Sequence, residues 1–141
     1  MANIQLQRGQ QQQVDVTFKL ADQTNALNFV TSNGGGGTGN YSAQLVIRKK
    51  VGDSFKGEII DTLTGTIASG SASGRIILGG NPSATDPNIN ITWSTAQSKE
   101  LPNETVTVHG DLKISNNSTF ASGEVLYHIR LSFDLLEEIV E

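Results

Sequence analysis

Tyr127-His128-Ile129-Arg130-Leu131-Ser132-Phe133-Asp134-Leu135 alternates apolar residues with polar or charged ones without a break. Successive side chains of a strand point to opposite faces. The stretch therefore reads as a strand with Tyr127, Ile129, Leu131, Phe133 and Leu135 facing a core and His128, Arg130, Ser132 and Asp134 facing water. Upstream, Val14, Val16, Phe18 and Leu20 alternate with Asp15, Thr17 and Lys19, and Leu45 and Ile47 do the same ahead of Arg48. Shorter candidates lie at residues 57–61, 74–78, 88–93, 105–108 and 111–114. Strands this short and closely spaced predict an all-β fold, a sandwich or small barrel of antiparallel strands, in preference to an α/β layer fold.

Composition agrees with that reading. The 141 residues suffice for one domain, and 36% are hydrophobic against 17% charged, with Gly, Ser, Thr and Asn filling 52 positions. No cysteine is present, which excludes a disulfide framework, a cysteine zinc site and a thiol nucleophile. The first residues, Met1 to Arg8, hold no apolar run, so neither a secretory signal nor a membrane anchor is expected. The net charge of −4 resides in Asp134, Glu137, Glu138 and Glu141, while residues 1–133 balance ten basic against ten acidic side chains. Such a balance creates no positive field to gather nucleic acid, and no such partner is expected. One local basic cluster, Arg48, Lys49, Lys50 and Lys56, reads as a solvated strand end and turn, or as a contact for a phosphate or an acidic partner.

Between the strands, residues 32–40 (Ser-Asn-Gly-Gly-Gly-Gly-Thr-Gly-Asn) read as a mobile surface loop. No Gly-Lys-Ser/Thr follows to make it a phosphate-binding loop. Ser94 with Gln97 has the form of a capping box, predicting a helical turn that Pro102 stops and that carries Ala96 and Leu101 over one open end of the sandwich. Trp93 reads as a core residue. The domain is expected over 1–133, with an acidic C-terminal tail over 134–141. Leu135, Leu136, Ile139 and Val140 have helical spacing but continue from a strand, so the strand is expected to run to about Leu136.

Only His109 and His128 titrate near neutral pH by intrinsic pKa. His109 precedes Gly110 in a predicted turn between two strands, and His128 lies on the polar phase of the last strand. Both are expected to be exposed. The acidic residues are scattered, and no metalloprotease, nucleophile-elbow or EF-hand spacing occurs, so no catalytic residue, metal or cofactor is expected. An apolar, acidic chain end suits docking: Leu136, Glu137, Glu138, Ile139 and Val140 are candidate partner contacts, with Arg48, Lys49 and Lys50 as a second set.

The order of these motifs resembles the small Ig-like domains of tailed-phage structural proteins, related to the N-terminal domain of baseplate upper proteins. The resemblance rests on Ile4 to Gly9 as an opening strand ending in Arg-Gly, and on Val14 to Asp22 ending in an Asp-containing turn. It continues through Ala43 to Lys49 ending in a basic pair, Ile59 to Gly65 with a small turn, and Gly74 to Leu78 led by glycine. Thr95 to Pro102 closed by Leu-Pro, Asp111 to Ile114, and the terminal strand from Gly123 complete it. The sequence departs from the pattern in the inserted glycines of residues 34–39, in His109-Gly110 where aromatics are usual, and in Leu131 in place of a small residue. The resemblance implies an all-β fold, a single Ig-like antiparallel β-sandwich with one short helical turn, and a non-enzymatic virion structural protein made in the host cytoplasm. It would be a tail or baseplate component that docks other virion proteins in symmetric copies. A capsid decoration protein and a carbohydrate-binding module of a tail fibre are the alternatives.

Overall fold

The computed structural model describes residues 4–19, 29, 41–50, 57–67, 75–79, 87–115 and 124–138. In chain order these form β1 (Ile4–Gln7), β2 (Gln12–Val16), β3 (Ser42–Lys49), β4 (Ile59–Ile67), β5 (Ile76–Leu78), β6 (Ile89–Trp93), α1 (Thr95–Ser98), β7 (Val106–Ser115) and β8 (Val125–Leu136). The strands join in the order β1-β8-β7-β3-β4-β5-β6-β2. The sheet doubles over: Trp93 on β6 meets Phe133 on β8 edge to face, ring centroids 6.2 Å apart, although β6 and β8 stand far apart in that order. One layer is thus β1-β8-β7-β3-β4 and the other β5-β6-β2. Opposing β8-β7-β3-β4 to β5-β6-β2 reproduces the connectivity of an Ig-like sandwich, with the first strand moved to the outer edge of β8.

Most pairings are antiparallel, but β1·β8 and β4·β5 are parallel. The second of these turns the corner between layers. A Cβ at Gly65 would lie 1.6 Å from the carbonyl oxygen of Ile76, so only glycine lets the β5 backbone come this close. Alternation fills the space between layers with Ala43, Leu45 and Ile47 of β3, Val108, Leu112 and Ile114 of β7, and Ile89, Ile91 and Trp93 of β6, all fully buried. The core position of Trp93 agrees with the sequence reading.

Several elements differ from expectation. Residues 106–108 and 111–114 belong to one strand, β7, with Thr105 just ahead of it, and His109-Gly110 lies at its middle instead of in a turn. Gly110 faces inward, where a Cβ would meet Leu45 Cδ1 at 2.8 Å and Phe133 Cε2 at 2.9 Å. Large neighbours occupy the space of the missing side chain, so this glycine marks packing and not a bend. The strand predicted over 14–20 stops at Val16, because buried Asn88 takes over the next backbone groups: Phe18 N–H donates to Asn88 Oδ1 (2.8 Å) and Asn88 Nδ2 donates to Phe18 O (2.8 Å). The run from Ile59 to Gly65 is not interrupted by a turn; β4 passes through it.

The capping box is present, with Gln97 N–H donating to Ser94 Oγ (3.1 Å) and Ser94 N–H to Gln97 Oε1 (2.9 Å). Leu101 closes the end as expected, but Ala96 is exposed and buried Ser98 takes the inward position, its Oγ accepting from Gly9 N–H at 2.7 Å. The strand through Leu136 is as read, so Asp134 to Leu136 are sheet residues and not tail. The glycine-rich stretch 32–40, Lys56, and Ile139, Val140 and Glu141 lie outside the described residues.

Candidate functional site

Two residue sets separated by more than eighty positions in sequence come to one end of the same layer. Lys49 pairs across β7 with Val108, which in turn faces Phe133, so the C-terminal end of β3 and that of β8 flank the start of β7. Arg48, Lys49 and Lys50 therefore stand at the same end as Leu136, Glu137 and Glu138. The segment from α1 to β7 binds both sets. Lys49 Nζ lies 2.7 Å from Glu104 Oε1, and Glu138 N–H donates to Asn103 Oδ1 at 3.0 Å. The hydrogen bond and charge of Glu104 push the Lys49 ammonium above its ordinary pKa.

The acidic end has a cation that the sequence does not place beside it. Arg8 pairs with Glu138 and also donates from Nε to Leu101 O (2.9 Å) and from Nη2 to Lys99 O (2.7 Å). Gln7 Nε2 donates to the Glu137 carbonyl. Parallel pairing of β1 with β8 makes this possible, since Gln7 sits opposite Leu136 and the chain then turns at Gly9, whose φ of 87° suits glycine alone. Glu138 is thus tied back to the domain. Arg48 Nη1 lies 3.3 Å from Gly57 O, so the basic set is likewise held to its surroundings.

Beside the acidic set, across β1, β8 and the start of β7, runs an open groove of about 330 Å³, lined by Gln5, Thr105, Val106, Thr107, Asp134, Leu135 and Leu136. Thr107 Oγ1 donates to Asp134 Oδ1 at 2.8 Å on its floor. Among the sequence-derived contacts, Leu136 lines this groove, while Glu137 is exposed beside it. Gln5, Thr105 and Thr107 had no sequence signal, because three strands are needed to bring them together.

The water-facing side of the layer also collects both histidines. His128 Nε2 lies 3.0 Å from Asp111 Oδ1, which also accepts from Arg130 Nε at 3.3 Å. His109 Nδ1 lies 3.2 Å from Ser132 Oγ. His128 is exposed as expected, whereas His109 is half-buried between β3 and β8. Its pKa is lowered, first by burial, then by the charges of Lys50 and Arg130, with Asp111 opposing them. Burial alone would raise the Asp111 carboxyl, but hydrogen bonds and charge from His128 and Arg130 together outweigh it and hold it low. Asp111 thus bridges His128 and Arg130, while His109 faces Ser132. Among the described residues no group of three or more acidic or histidine side chains is placed to hold a metal ion. No family model and no curated protein matches the chain.

Proposed function

We propose that this chain is a non-enzymatic structural protein of a phage virion, a tail or baseplate component that docks neighbouring virion proteins through the groove end of the β1-β8-β7-β3-β4 layer. The observation that carries the reading is the open groove beside Leu136 to Glu138, with Arg48 to Lys50 at the same end of the layer, on backbone held by the Arg8–Glu138 and Lys49–Glu104 pairs. A docking surface gains affinity when its side chains are already ordered, and each of these ties lowers the entropy lost on contact. The order of sequence motifs and the Ig-like connectivity point the same way. The copies would be related by the symmetry of the particle, and each would present the same end to its neighbour.

Mass spectrometry of purified particles tests the proposal, together with incorporation of Thr107→Arg, a surface change that fills the groove. The chain is expected in the particles, and T107R is expected to fold normally and fail to join them. Absence of the chain from particles overturns the reading. A density map that places it on the shell moves it from tail to capsid decoration.

A further inference from the structure

Past β8 the described chain is held by polar contacts alone. Leu135, the last inward-facing residue of the strand, is buried, whereas Glu137 is exposed and Glu138 half-buried. Three bonds hold these two glutamates: Gln7 Nε2 donates to the Glu137 carbonyl, Glu138 N–H donates to Asn103 Oδ1 at 3.0 Å, and Arg8 Nη1 donates to the Glu138 carboxylate. None of them is a ladder bond of the sheet.

The surface that receives this end is built without it. Arg8 N–H donates to Leu136 O (3.2 Å) and Gly9 N–H to Ser98 Oγ (2.7 Å), while Gln12 grips the Gln7 backbone, accepting from its N–H (3.0 Å) and donating to its carbonyl (3.1 Å). Arg8 Nε and Nη2 are taken by the carbonyls of Leu101 and Lys99, just past α1. Those bonds fix the guanidinium from behind and leave Nη1 to the carboxylate. Gly9 shapes the remaining space, since a Cβ there would lie 2.6 Å from Glu138 Oε1 and 3.0 Å from its Cδ and Cγ. The carboxylate thus fills the room that any side chain at position 9 would need.

We infer that the Arg8–Glu138 contact is a latch: Glu137 and Glu138 leave the domain as one unit, while β8 and the turn at Arg8 and Gly9 stay in place. Closed, the latch seats Glu138 on Arg8, Gly9 and Asn103 and keeps exposed Glu137 beside Leu136, which lines the groove. Open, that side of the groove loses its acidic border. Both residues are glutamates, so opening takes no apolar side chain off the core, and its cost is one ion pair and two hydrogen bonds, far less than unfolding. The side chains of Arg8 and Glu138 are 21% and 29% exposed, so water reaches both once they part. The inference does not depend on the virion reading.

Residue-resolved amide exchange of the full chain by NMR tests it, with Glu138→Ala as the variant, which removes the carboxylate but keeps the residue-138 amide and its acceptor Asn103. In the unaltered chain the Glu138 amide is expected to be protected, though less than those of Arg8 and Gly9. In E138A the residue-138 amide, corrected for its intrinsic rate, is expected to exchange about tenfold faster or more, with the Arg8 and Gly9 amides unchanged. The melting temperature should stay within about 2 °C. Acceleration of the Arg8 and Gly9 amides together with residue 138 overturns the latch, because the contact would then belong to the frame of the domain. An unprotected Glu138 amide in the unaltered chain, or an unchanged residue-138 amide in E138A, overturns it as well. If the variant does not fold, salt decides on the unaltered chain: faster exchange of Glu138 relative to Gly9 at about 1 M sodium chloride supports the latch, and an unchanged ratio overturns it.

Discussion

Asp61 and Asp111 carry the same kind of network on opposite faces of one layer. Asp61 faces inward and takes both guanidinium nitrogens of Arg75 (3.1 and 2.9 Å) and the indole N–H of Trp93 (3.0 Å), while Arg75 also stacks over the Trp93 ring at 5.7 Å. Asp111 faces water and takes Arg130 and His128. Side-chain exposure separates them: 15% and 19% for Asp61 and Arg75, against 28%, 44% and 52% for Asp111, His128 and Arg130. Removing one member of a sheltered set strands the others away from water, whereas in the solvated set water replaces the lost partner. Similar chemistry therefore has structural weight at one site and little at the other.

The largest effect should come from Asp61→Ala, which leaves the Arg75 charge and the Trp93 N–H without their acceptor. A loss of about 3 kcal/mol in urea unfolding is expected, and a loss below about 1 kcal/mol would place Asp61 in the solvated class with Asp111. Next is Gly110→Ala, immediately before Asp111 but pointing inward. Overpacking against Leu45 and Phe133 should cost about 2 kcal/mol, and a neutral result would mean that the two layers part easily.

Asp111→Asn should cost about 0.5 kcal/mol near neutral pH. Because the folded state holds this carboxyl below its ordinary value of 3.8, its contribution is complete above that pH and fades as pH falls through the lowered pKa. Unfolding measured from neutral to strongly acidic pH should show the two proteins converging at the acidic end. Equal separation at all pH values would show that the carboxylate charge is not what matters.

The smallest effect concerns His109. Its folded pKa lies below the ordinary 6.5, so the folded state resists protonation and the stability this represents, present above 6.5, declines as pH drops toward the lowered value. His109→Gln should flatten that part of the stability profile while changing little above it. An unchanged slope would assign the decline to another group.

Alternation alone made β8 and β3 legible, and Ser94 with Gln97 announced the helical turn, because each of those signals is local. Gly110 misled for a physical reason: glycine serves turns and close packing equally, and only the arrival of Leu45 and Phe133 from other strands distinguishes them. Asn88 ended β2 from the entry to the neighbouring strand β6, some seventy positions on in the chain, which no pattern within residues 14–20 encodes. At the candidate site, both charged sets were visible as sequence clusters. Their meeting at one end was not, nor was Arg8 as the partner of Glu138, since that pair requires the parallel register of β1 on β8.

What the sequence determined by itself was the class of the molecule and the faces of β3 and β8, because side-chain alternation has a fixed period and apolar side chains leave water whatever their partners are. Tertiary structure alone decided which carboxylates are sheltered, which cations meet the acidic chain end, and how far β1 covers β8. Those outcomes depend on register between strands remote in sequence, where one step of slip would exchange every inward residue for its outward neighbour.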